Sequence, residues 1–124
     1  MYNKKIELGE CKNGDIYIAK LPIKTAEHIQ DGIRPVIIVS NDKANKYSPV
    51  ITVIPMTGNL EKKSLPTHVV VDHCGLAKNS IALAEQITSI NKSCLIGKVG
   101  DIRRNTQVQR DIKRAMLVQL DMDS

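Results

Sequence analysis

Apolar positions in this chain fall mostly into short β-branched runs set apart by Pro, Gly and Asn. Only near the C-terminus does their spacing lengthen to that of a helix. Val36-Ile37-Ile38-Val39 and Val50-Ile51-Thr52-Val53-Ile54 are nearly unbroken, which predicts buried strands. Residues 16–21 are apolar apart from Lys20 and predict a central strand or one covered on both faces. Residues 65–72 hold Val69-Val70-Val71 and predict another. Residues 79–87 read as a strand, although their alanines would also suit a helix, and 95–99 as a short strand weakened by Gly97. By contrast, Val108, Ile112, Ala115, Met116 and Leu120 recur at helical spacing, with Gln109, Arg110, Asp111, Lys113 and Arg114 facing away. This predicts a helix over about residues 106–120, N-capped by Asn105 or Thr106. Leu117 and Val118 lie off its apolar stripe and point either to wider burial in the monomer or to a subunit contact. Many short strands and one terminal helix predict a mainly β fold: a small, strongly bent sheet or barrel with the helix packed on it.

The segments between these runs carry the candidate chemistry. Residues 22–33 have no clear period and are longer than a usual connection, which favours a functional loop. Gly32-Ile33-Arg34-Pro35 leads into the first buried run, and the second ends in Pro55-Met56-Thr57-Gly58. If these two strands are antiparallel neighbours, the start of one lies beside the end of the other. Arg34 and Thr57 then meet at one rim of the sheet. A guanidinium fork beside a hydroxyl can grip the nonbridging oxygens of a phosphate.

Composition narrows the classes. The 124 residues make one domain, 42% apolar and 25% charged, with no apolar stretch long enough to span a membrane. The opening residues show no signal-peptide pattern, and Cys11, Cys74 and Cys94 form no C-x-x-C pair and leave one thiol over. Reduced thiols in a cytoplasmic protein are the simplest reading. A net charge of +5 favours a polyanionic partner. With no Trp or Phe and only Tyr2, Tyr17 and Tyr47, the chain is a poor match for an aromatic stacking platform for RNA. Contacts to RNA would rest on phosphates, base edges and aliphatic pockets.

Other constellations are weaker. His28, His68 and His73 offer a two-histidine acid–base pair, but no spacing brings any two together. His68, Asp72, His73 and Cys74 form a loose metal-type cluster with no second ligand pair to close a tetrahedral site. Glu85-Gln86 interrupts an apolar segment, either as a strand end or as a reader of base edges. Phosphate-binding glycine loops, a nucleophile elbow and a dinucleotide fingerprint are absent.

Taken in order, Gly14-Asp15-Ile16-Tyr17, Gly32-Ile33-Arg34-Pro35-Val36-Ile37-Ile38, Ser40-Asn41-Asp42, Asn45-Lys46-Tyr47-Ser48-Pro49, Leu65-Pro66-Thr67-His68-Val69 and Leu83-Ala84-Glu85-Gln86-Ile87 resemble the motifs of the MazF/PemK family of toxin endoribonucleases. The resemblance implies an SH3-like β-barrel homodimer that cuts single-stranded mRNA at a short sequence, needs no metal or cofactor, and is neutralised by a cognate antitoxin with a disordered acidic tail. It implies 2′,3′-cyclic phosphate and 5′-hydroxyl ends, with Arg34 and Thr57 as the catalytic pair. RNA contacts carry over onto the 20–32 loop with Lys20, His28, Gln30, Asp31 and Gly32, and onto Asn41, Leu65, Pro66, Thr67, Glu85 and Gln86. The chain departs from the family most at Ile23-Lys24-Thr25-Ala26-Glu27-His28, so the resemblance does not fix the cut sequence. A guanidinium stays protonated at physiological pH, which suits Arg34 to charge stabilisation and leaves the general base unassigned. The rival functions are a barrel of the same fold that traps DNA gyrase without catalysis, and an inactive RNA- or protein-binding barrel.

Overall fold

A computed structural model describes residues 11–22, 32–61 and 64–123. In chain order the elements are strands β1 (Asp15–Lys20) and β2 (Ile33–Ile38), helix α1 (Asp42–Tyr47), strands β3 (Val50–Thr57), β4 (His68–Val71), β5 (Ser80–Leu83), β6 (Thr88–Asn91) and β7 (Leu95–Asp101), and helix α2 (Thr106–Gln119). Single 3-10 turns at Ala84–Gln86 and Lys92–Cys94 flank β6. The fold is mainly β with a C-terminal helix, as the pattern of apolar runs predicts.

The strands form one seven-stranded sheet ordered β4-β5-β3-β2-β1-β7, with β6 added on β3, and every pairing is antiparallel. Among the described residues β4 and β7 do not pair with each other, so the sheet is bent but open. β3 is its hub: Val50 to Val53 pair with β6, Val53 to Pro55 with β2, and Met56 and Thr57 with β5.

Alternation along the strands builds a core on each face of the sheet. On one face Ile16, Ile37, Ile54, Met56, Val69, Val71 and Ala82 pack against Val108, Ile112 and Ala115 of α2. On the other, Tyr17, Ala19, Leu21, Val36, Ile38, Ile51, Val53 and Leu95 make a second cluster. The helix is held at its N-terminus by Asn105, whose side chain accepts from the Val108 N–H at 3.0 Å and donates to the Asp72 carbonyl at 3.3 Å.

Three local departures from the apolar pattern have physical causes. The connection over 40–49 folds into α1 because Asn41 caps it, accepting from the Ala44 N–H at 2.8 Å, while buried Asn45 donates to the Ser40 carbonyl at 2.9 Å. The 79–87 segment is strand only as far as Leu83, after which it turns. β6 buries Ile90 alone and exposes Thr88, Ser89 and Asn91, so it carries no apolar run to announce it.

Candidate functional site

Arg34 stands second in β2 and Thr57 last in β3, both half-buried. The β2–β3 ladder runs Ile38 to Val53, Ile37 to Ile54 and Val36 to Pro55. Continued two residues toward the open end, this register sets Arg34 level with Thr57. Both strands carry a proline here, Pro35 and Pro55, which cannot donate to a ladder. Strand parity also gives the two side chains one face. Arg34 pairs with Ala19 and shares parity with Val36 and Ile38, and Thr57 shares parity with Ile51 and Val53. That face is the one α2 leaves uncovered.

Local chemistry orients the pair. Gly32 precedes β2 at φ +75°, its carbonyl accepting from the Leu21 N–H at 2.7 Å, and a Cβ there would sit 2.6 Å from the Leu21 oxygen. Only glycine lets the chain enter β2 at this angle. Thr57 Oγ1 accepts from the Asn59 N–H at 3.2 Å. Its hydroxyl hydrogen is given to no described residue and is available to a phosphate oxygen on the uncovered face.

The remaining candidates divide. Lys20 ends β1, exposed and opposite Ile33, near the Arg34 rim. His28, Gln30 and Asp31 lie outside the described residues. Asn41 is at the far end of β2 from Arg34, a separation on the order of 20 Å for extended chain, and its side-chain oxygen serves as the α1 cap. Leu65 and Pro66 are exposed ahead of β4. Thr67 is only 8% exposed, and its hydroxyl donates to Glu85 Oε1 at 2.8 Å. The second Glu85 oxygen lies 2.9 Å from His68 Nε2, and the Leu65 N–H reaches His68 Nδ1 at 3.2 Å. Burial pushes the Glu85 carboxyl up, but hydrogen bonds from Thr67, His68 and its own backbone outweigh this and hold it below the ordinary glutamate value. Gln86 beside it is exposed, and its side chain hydrogen-bonds to no described residue.

This Thr67–His68–Glu85 cluster is what sequence reasoning missed. The available signal was an acidic residue inside an apolar segment, which must find donors if it is even partly buried. The two described histidines do not converge. The His68 side chain is 4% exposed and committed to Glu85, while His73 lies beyond the other end of β4, fully outside at φ +55°. Cys74 donates to the Asp72 carbonyl at 3.2 Å, and among the described residues no three acidic, His or Cys side chains gather to hold a metal. A separate apolar groove of about 610 Å³, lined by Ile38, Val39, Ile112, Met116, Leu117 and Leu120, lies between the far end of β2 and α2, away from Arg34 and Thr57.

A bent antiparallel sheet with a terminal helix on one face, and a cation and an oriented hydroxyl at the rim of the other, defines a small β-domain. The family model for PemK-like, MazF-like toxins of type II toxin-antitoxin systems matches residues 12–119, and the chain belongs to that family. It is 43% identical over 91 residues to the endoribonuclease MazF of Staphylococcus saprophyticus, covering 71% of this chain and 74% of that protein. Solved structures of like fold include an endoribonuclease from a Mycobacterial species (TM-score 0.74, 19% identity, covering 94% of this chain and 97% of the other) and one in complex with its cognate antitoxin (0.73, 20%, 90% and 96%). MazF from Deinococcus radiodurans is another (0.69, 19%, 97% and 100%).

Proposed function

We propose that the chain is an endoribonuclease toxin that cuts single-stranded RNA at the rim carrying Arg34 and Thr57. In this reading a ribose 2′-hydroxyl oxygen attacks the adjacent phosphorus and loses its proton to a general base to which no residue is assigned. The bond to the 5′-oxygen breaks, that oxygen takes up a proton, and the ends are a 2′,3′-cyclic phosphate and a 5′-hydroxyl. Charge builds on the nonbridging oxygens as the fifth bond forms. Arg34 offsets it with a planar fork of donors, and the Thr57 hydroxyl adds one more; each preorganised donor contributes roughly 3 kcal/mol.

The observation that supports this most is the shared rim and face of Arg34 and Thr57, with the Thr57 oxygen already engaged by Asn59. Leu65, Pro66 and Gln86 extend the surface available to bases. The natural protein partner is an antitoxin with an acidic tail, matched to a chain of net charge +5. A second copy of the chain would cover the apolar groove, whose rim residue Leu120 is 51% exposed, with Met122 beside it at 64%.

The test is purified protein, RNA and EDTA. Discrete fragments with cyclic phosphate ends are expected. Arg34→Ala should fold yet lose at least about a hundredfold in rate, and Arg34→Lys should recover little because the fork is lost. Full activity of the alanine variant removes Arg34 from the mechanism. Intact RNA together with a supercoiling defect would replace the nuclease by a gyrase binder.

A further inference from the structure

We infer that His68 is a positioning residue: by clasping Glu85 and the Leu65 turn it fixes where the Gln86 side chain stands, and with it the selectivity of this surface. The inference rests on the nuclease reading above and extends it to how the substrate sequence is chosen.

Hydrogen bonding fixes the tautomer of His68. The Leu65 N–H can only donate, so His68 Nδ1, 3.2 Å away, accepts and the ring hydrogen sits on Nε2. Nε2 then donates to Glu85 Oε2 at 2.9 Å. Thr67 donates to the other carboxylate oxygen at 2.8 Å, and the Thr67 carbonyl accepts from the Ala84 N–H at 3.0 Å. Leu65 is tied twice, since its carbonyl also accepts the His68 N–H at 2.9 Å. One imidazole thus links the turn ahead of β4 to the turn after β5.

These two turns flank the proposed cutting site on the correct face. Thr57 pairs with Ile81, and His68 pairs with Leu83 two residues further along β5, so all four side chains point the same way. The distance from Thr57 to the clasp is on the order of 10 Å along the strands, within reach of a short single strand. Each Glu85 oxygen already accepts one hydrogen bond from the clasp, and the carboxylate has no donor to give a base edge. Gln86, exposed and unengaged among described residues, carries one donor group and one acceptor that match the edges of bases. The clasp fixes where Gln86 and the Leu65 wall stand.

Two substitutions separate the arms. His68→Asn keeps an acceptor for the Leu65 N–H but cannot reach Glu85, and His68→Gln keeps a donor to Glu85. The measurement is the set of cut sites, and the rate at each, on a long RNA of mixed sequence, for variants first shown by circular dichroism to be folded. Expected are a loss of about tenfold in discrimination at the same base position in both Gln86→Ala and His68→Asn, and near-normal discrimination in His68→Gln. A merely structural histidine would lower the melting temperature and slow all sites equally. That result, or unchanged selectivity in folded His68→Asn and in Gln86→Ala, overturns the inference while the nuclease stands. Wild-type protein that cuts no RNA overturns both.

Discussion

Thr57 differs from an ordinary strand-end threonine in one respect: the Asn59 N–H at 3.2 Å fixes the direction of its oxygen. Its value in the proposed reaction is therefore a hydrogen already aimed. Thr57→Ser should keep cleavage within a few-fold, while Thr57→Val, which preserves shape and removes the donor, should lose about a hundredfold in kcat under saturating RNA. Equal rates for the two variants would take Thr57 out of the reaction. Glu85 makes a second statement at this scale. Its carboxyl titrates below the ordinary range in the folded protein, so its contribution to stability is complete above the unfolded value of about pH 4.3 and is lost as pH falls through the lowered folded value. Urea unfolding of wild type and Glu85→Gln should show a stability gap at pH 7 that closes as pH drops below about 4; a constant gap would contradict the clasp. Arg34 and Thr57 could be matched from sequence because each sits at the mouth of a nearly unbroken apolar run. The His68–Glu85 pair could not, because it depends on the β4–β5 register, which no local pattern encodes.

At the scale of elements, α2 tests how capping and packing combine. Asn105 satisfies the Val108 N–H and also ties the helix start to the Asp72 carbonyl beyond β4. Asn105→Ala should cost about 1 kcal/mol, read as a shift in the urea midpoint at unchanged slope. No shift would mean that water caps the helix equally well. This helix was legible almost to the residue, since Val108, Ile112 and Ala115 repeat with its period and all three are buried. α1 was not, because its six residues include just one fully buried side chain, the polar Asn45, so its stability comes from hydrogen bonds rather than an apolar stripe. β7 runs to Asp101, past both Gly97 and Gly100; the second is required because the Cys74 backbone lies against it, leaving no room for a side chain.

For the whole molecule, the division of the sheet into two faces separates stability from chemistry. α2 closes one face, and the proposed site occupies the margin of the other, beyond the second apolar cluster. The bent mainly β architecture was readable from runs and breaks, and the rim from their ends. The two-faced plan was not readable, because it follows from alternation within strands whose runs are apolar throughout: in Val36, Ile37 and Ile38, every residue is fully buried and hydrophobicity cannot say which way each points.

β3 has a consequence of its own. Ile54 and Met56 enter one cluster and Ile51 and Val53 the other, while three neighbouring strands hydrogen-bond along its length. Neither half of the protein can melt while the other persists, because this ribbon is stitched into both. Deuterium uptake at the central β3 amides should therefore be the slowest in the molecule and track global opening, with calorimetry giving a single cooperative peak.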